Sequence, residues 1–252
     1  MSKPAKVIPI MSASAEVEDS AQFVSMYQKQ PTIYPRAVKG WFANWRWVFV
    51  WLTQLLFYGL PWLQWSGRQA VLFDLDAQRF YIFGLLLYPQ DLIFLAALLV
   101  LSALALFFFT AVAGRLWCGY TCPQTVYTEI FMWAERKIEG DRVARMRLDQ
   151  QPWRWNKIWR KGAKHSAWLS IALFTGFSFV GYFTPIRELA TDLASWNLSG
   201  WNAFWVLFYG AATYGNAGFL REQMCKYMCP YARFQSALID KDSLIITYDA
   251  KR

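Results

Sequence analysis

Histidine is almost missing from these 252 residues, where His165 stands alone. A membrane cytochrome b fixes each haem with two axial histidines, so bis-histidine haem is excluded. His165 itself, at the mouth of an apolar run, reads as an interfacial residue rather than a ligand. Also missing are a Gly-x-x-x-x-Gly-Lys-[Ser/Thr] loop, a His-Glu-x-x-His pair and a Gly-x-Ser-x-Gly elbow, which removes nucleotide hydrolysis and the common hydrolase chemistries. Charge is missing from four windows, Trp47–Gln64, Leu92–Gly114, His165–Ile186 and Leu193–Leu220. With almost no ionisable groups there, the sequence argues against an ion pump or proton-coupled transporter. No apolar run opens the chain, so a cleavable secretory signal is not expected and the first span must serve as its own insertion signal.

What is present is apolar and aromatic: 56% hydrophobic and 19% aromatic residues, with 15 tryptophans. A helix crosses a bilayer with about 17–25 residues, so the four windows predict an all-α membrane protein of four transmembrane helices. Trp45, Trp47, Trp51, Trp62, Trp65, Trp201 and Trp205 gather near the run ends, where a ring with one wet edge is favoured. The mean hydropathy of only +0.17 reflects polar termini and a polar central loop. Lys and Arg in the segments before the first span, between the second and third, and after the fourth number 23, against 3 in the two remaining loops. The positive-inside rule then puts both termini and the central loop in the cytoplasm of a bacterial inner-membrane protein. On this reading the +9 net charge is mostly topology. It brings no nucleic-acid-binding motif.

Residues 1–44 read as a polar cytoplasmic arm, with an amphipathic helix from Ala15 to about Lys29. Residues 45–239 form the membrane module, and 240–252 begin a truncated cytoplasmic, ferredoxin-like region. In the outer loop, two apolar runs around Asp74 and Asp76 predict a small surface hairpin over 70–83. Short interfacial helices are predicted after Pro123, ending at Gly140, and after Pro230, because proline is tolerated at a first helical position.

The sharpest repeat is Trp117-Cys118-Gly119-Tyr120-Thr121-Cys122-Pro123 and Met224-Cys225-Lys226-Tyr227-Met228-Cys229-Pro230. These two Cys-x-x-x-Cys-Pro motifs hold all four cysteines. Each follows an even-numbered span, so both pairs belong at one cytoplasmic boundary. A reducing cytoplasm disfavours structural disulfides. Cys122 and Cys229 fall at predicted N-caps, where helix dipoles favour thiolate, and Arg115, Arg221 and Lys226 push the same way. Thiolates and thioethers select Cu(I), zinc or iron–sulfur clusters. Met224 and Met228 would complete an all-sulfur, copper-like set, although packing explains them equally. Four ligands sharing one ion at about 2.3 Å would stand about 3.5–4 Å apart.

With the flanks Arg68-Gln-Ala-Val-Leu-Phe-Asp74, Phe80-Tyr-Ile-Phe-Gly84 and Arg221-Glu-Gln-Met through Phe234-Gln235, the motifs resemble the cytochrome c oxidase accessory family CcoG, also called FixG or RdxA. The resemblance implies a membrane part followed by a ferredoxin-like domain with two [4Fe–4S] clusters, whose cysteines this chain lacks. It also implies reduction of Cu(II) to Cu(I) during assembly of cbb3-type oxidase. Copper would then be the cofactor, and Cys118, Cys122, Cys225 and Cys229 would be both ligands and electron relay, joined by Met224 and Met228. The expected partners are the bilayer, copper ions, copper-delivery or oxidase-assembly proteins and a second copy of the chain, with no nucleic acid. Two alternatives stand beside the copper reductase: a copper chaperone or adaptor without reductase activity, and a polyferredoxin-type, quinol-linked electron-transfer subunit.

Overall fold

The computed structural model describes residues 34–36, 38–239 and 243. The predicted Ala15–Lys29 helix and the tail expected to begin a ferredoxin-like region therefore lie outside the described residues, apart from Ser243. The described elements in chain order are α1 (Trp41–Gly59), β1 (Gln64–Trp65), β2 (Arg68–Gln69), β3 (Val71–Asp74), β4 (Arg79–Ile82), β5 (Leu85–Leu87), α2 (Leu92–Ala113), α3 (Leu116–Tyr120), α4 (Pro123–Glu139), α5 (Arg142–Gln150), α6 (Trp155–Val180), α7 (Ile186–Ala194), α8 (Gly200–Tyr214) and α9 (Pro230–Leu238). Two single π-helical turns, Gly215–Phe219 and Met224–Met228, lie between α8 and α9.

The protein is mostly helical, and of the four expected spans the length and composition of the described helices support one. Among the described residues one helix, Pro89–Ala113, is long and apolar enough to cross a membrane, with a mean hydropathy of 2.9. Its 22-residue α2 part would rise about 33 Å, enough for a hydrocarbon core of about 30 Å. None of that window is buried inside the protein. Apolar surface of that extent does not stay in water, so the protein is membrane-associated. The other windows fall short for local reasons. In the first, α1 starts at Trp41, taking in Asn44 and Arg46, and stops at Gly59, short of the window's end. The third helix starts at Trp155, ten residues before its predicted window, and its first three turns carry Lys157, Arg160, Lys161 and Lys164. The fourth window divides into α7, a turn with Trp196 at φ +55°, and α8. At 15 residues, α8 rises only about 22 Å.

The hairpin expectation holds and extends. β1 pairs with β2, and β3, β4 and β5 form an antiparallel meander in register Val71↔Ile82 and Phe80↔Leu87. The meander is tied to the end of α6. Phe73 N donates to Tyr182 O at 2.7 Å, Gln69 Nε2 donates to Gly181 O at 2.7 Å, and Ile186 N donates to Gln69 Oε1 at 3.1 Å.

The core forms where α4, α6 and the first π turn meet: Phe131, Ala134, Trp168, Ala172 and Ala217, with Tyr127, Ile171 and Tyr214 around them. Trp168 stacks on Phe131 at 5.3 Å, and its indole N–H donates to Phe131 O at 3.1 Å. α6 and α8 approach until a Cβ at Gly176 would overlap Val206 O and stand 2.9 Å from Gly210 N. Only hydrogen fits at that crossing.

Candidate metal centre

The two motifs are built alike, as their repetition predicts. Cys122 is the N-cap of α4 and Cys229 that of α9, each followed by proline at the first helical position. The α4 helix ends at Gly140, whose φ of +91° suits glycine. The first pair closes by Cys122 N donating to Trp117 O at 3.1 Å and Thr125 Oγ1 donating to Cys118 O at 2.5 Å. The second closes through the π turn, with Cys229 N donating to Met224 O at 2.9 Å. A π turn is rare, and is found mostly as a one-turn insertion at functional sites.

The two copies interlock crosswise. Gln124, just after the first motif, donates to Asn216 O at 2.9 Å, upstream of the second. From the helix after the second motif, Gln235 Nε2 donates to Cys118 Sγ at 3.1 Å, and Tyr231 OH reaches Thr110 and Leu106 O on α2. Each helix that follows a cysteine pair therefore braces the segment leading into the other. Burial pushes the Cys118 thiol up, with Cys122 and Cys229 adding to the rise and Gln235 and Arg115 opposing it. Burial does the same at Cys225, followed by Cys122, Cys229 and Cys118. All four thiols thus share one electrostatic neighbourhood, and none is in a disulfide. The expectation that nearby cations favour thiolate is corrected in part. Arg221 is turned to Glu135 at 3.3 Å and Lys226 to Glu222 at 3.8 Å, leaving Arg115 as the cation that lowers Cys118. Met224 is half-buried, while Met228 is 63% exposed.

The sequence reading missed a buried ionic network directly behind the motifs. Glu135 on α4 meets Arg145 at 3.1 Å and Arg221 at 3.3 Å. Glu139, 1% exposed, meets Lys164 at 3.0 Å and Lys161 at 3.1 Å. Lys161 continues to Asp149 at 2.7 Å, which accepts from Tyr34 OH at 2.6 Å. Arg145 and Lys164 are buried, so part of the charge assigned to topology is neutralised inside the fold. The signal was present in sequence: carboxylates at 129, 135 and 139 on one helix, followed by the basic 142–164 segment. Because Arg221 stands four residues before Cys225, the Glu135–Arg221 pair links the first motif's helix to the second motif.

Among the described residues, no group of three or more His, Cys, Asp or Glu is arranged to hold a single metal ion. A cluster makes a different demand. It presents each thiolate with its own iron and spaces its cysteines more widely than one ion does, and four thiolates are the ligand set of one [4Fe–4S] group.

Comparison with known proteins bears on the same residues. A 4Fe-4S binding domain model matches residues 95–140, around Cys118 and Cys122. A 4Fe-4S dicluster domain model matches residues 220–252, around Cys225 and Cys229. The chain is 40% identical over 229 residues to the nitrogen fixation protein FixG of Rhizobium meliloti, covering 89% of this chain and 44% of that protein. It is 39% identical over 230 residues to protein RdxA of Cereibacter sphaeroides, covering 88% and 49%. It is 26% identical over 152 residues to the methylamine utilization ferredoxin-type protein MauN of Methylorubrum extorquens, covering 60% and 47%. The chain spans about half the length of the curated relatives it matches. No solved structure matches it. The copper expectation is overturned here: both matched regions are of iron–sulfur type and lie within this chain, and the cysteines do not form a single-ion site. The donor set, four free thiols delivered by two interlocked motifs, fits an iron–sulfur group.

Proposed function

We propose that this chain, which belongs to the FixG/CcoG family, is a membrane-associated electron-transfer module in which Cys118, Cys122, Cys225 and Cys229 together hold one [4Fe–4S] group. The observation that carries this reading is the coincidence of each cysteine pair with a 4Fe-4S-type match. When bound, such a group supplies one-electron chemistry at a potential set by its surroundings. The protein's own residues do the rest. Gln235 donates to Cys118 Sγ, and a hydrogen bond to a ligand sulfur raises the potential of the group it carries. The N-caps aim two helix dipoles at Cys122 and Cys229, which lowers the cost of negative charge there. The Glu135–Arg221 pair holds the two motifs in register. We assign the finer role to the quinol-linked, polyferredoxin type, because it needs a membrane and soft one-electron ligands but no single-ion site. The multi-span topology with cytoplasmic termini belongs to the same proposal, supported by the distribution of Lys and Arg.

The test is iron and acid-labile sulfide in protein purified anaerobically in detergent. About four of each per chain is expected, falling below one when the four cysteines are replaced by serine. Copper in place of iron, or iron retained by the serine variant, overturns the proposal.

A further inference from the structure

A cavity of about 330 Å³ lies where α1, α6 and α8 meet the first turns of α4. Phe57, Phe179 and Tyr209 supply flat aromatic walls, and Thr121 and Pro123, the two neighbours of Cys122, close one side. Apolar walls with a few placed polar groups are the usual form of a small-molecule site.

Among the described residues, the polar groups of this cavity include one acceptor that nothing in the protein satisfies. Thr175 Oγ1 spends its proton on Ile171 O at 2.8 Å, so in its 2.9 Å contact with Tyr58 the phenol is the donor. Tyr127 is flanked by Tyr58, Thr175 and Gln54; burial pushes its phenol up and keeps it protonated, while Gln54 opposes the rise, as an amide N–H donating to the phenol oxygen does, which leaves the amide oxygen free. Gln54 is 9% exposed, and its side-chain oxygen has no hydrogen-bond partner. A buried, unpaired acceptor is costly, and the cost disappears when a ligand brings an O–H to it.

We propose that this cavity binds the ring of a lipid-soluble hydroquinone, one ring hydroxyl donating to Gln54 Oε1 and the ring lying among Phe57, Phe179 and Tyr209. The planar walls select an aromatic ring, the orphan acceptor selects one that carries O–H groups, and the exposed apolar side chains of the same helices, Leu52, Leu55 and Leu56 on α1 and Leu207 and Phe208 on α8, suit a lipid-soluble ligand. The oxidised quinone only accepts hydrogen bonds and leaves Gln54 unsatisfied, so the reduced form binds more tightly. This assignment deepens the electron-transfer reading and rests on it, because it gives the quinol donor of that reading a binding place that borders Cys122.

The experiment titrates detergent-solubilised protein with decylubiquinol and with decylubiquinone by calorimetry, beside the variants Gln54→Leu and Gly162→Ala. The reduced form is expected to bind about tenfold more tightly, the factor given by one hydrogen bond of ordinary net strength. Gln54→Leu removes that preference, and a thermal midpoint within about 4 °C of the parent shows that its fold is intact. Gly162, on an open face of α6 with nothing within 4 Å, serves as a control that retains the preference. Equal binding of both forms, no binding, or an undiminished preference in Gln54→Leu overturns the site. Its failure is distinguishable from that of the electron-transfer reading, because iron content is measured independently of either titration.

Discussion

Glu135→Ala probes the link between the motifs most directly. The carboxylate is 8% exposed and meets three cations: Arg145 at 3.1 Å, Arg221 at 3.3 Å and Lys164 at 3.8 Å. Arg145 is 2% exposed and, among the described residues, keeps its bond to Pro35 O once Glu135 is gone. Breaking a buried ion pair from one side strands the remaining charge and costs about 3–5 kcal/mol. For a chain of this length each kcal/mol moves Tm by about 2–4 °C, so a fall of about 6–20 °C is expected. Arg221→Ala costs less, because Arg221 is partly exposed and its loss leaves Glu135 paired with Arg145. The double variant should reveal a coupling of about 0.5–3 kcal/mol between the two. The assay is thermal unfolding in detergent followed by tryptophan emission, with iron content measured on the same samples. A Glu135→Ala midpoint within about 2 °C of the parent, with iron unchanged, refutes both the stabilising role of the network and its part in registering the motifs.

Two further outcomes follow from named contacts. Gly176→Ala places a methyl against the backbone of α8 and should cost about 1–3 kcal/mol by overpacking, whereas Gly162→Ala should be neutral or stabilise by about 0.5–1 kcal/mol. Equal effects in a thermal scan would show that the α6–α8 crossing is not tight. Burial alone would raise the Asp149 carboxyl, but the bonds from Lys161 and Tyr34 outweigh it and hold the group below 3.8. A depressed carboxylate contributes stability that is present above its unfolded value and is lost as pH falls through the folded one. Stability should therefore drop with acidification below about pH 4, and less steeply in Asp149→Asn. An identical acid limb in both proteins contradicts the assignment.

The local features of the candidate centre were legible in the chain. Proline at first helical positions placed Cys122 and Cys229 at N-caps, Gly140 marked the end of α4, and the apolar run of α2 marked the membrane helix. Each of these depends on residues within a turn or two, where backbone sterics and side-chain transfer energies act locally. The extent of the membrane part was less legible. A charge-free window says nothing of where its helix breaks: the turn at Trp196, a residue 95% exposed, divides the fourth one, and the π turn Gly215–Phe219 packs against α4. The metal was misread for a related reason: copper and iron–sulfur share thiolate ligands, and they differ in how far apart those ligands stand.

By itself, then, the sequence determined which side chains can serve as soft ligands and how each pair is presented at a helix start. Only the tertiary structure decided that the pairs come together, through Gln124, Gln235 and Tyr231 reaching across between copies, and that Glu135 and Glu139 lie buried among cations. The contacts between copies span 92 to 125 residues of chain, and no local propensity encodes them. The ion pairs exist because burying α4 against α6 forces its carboxylates to find partners out of water.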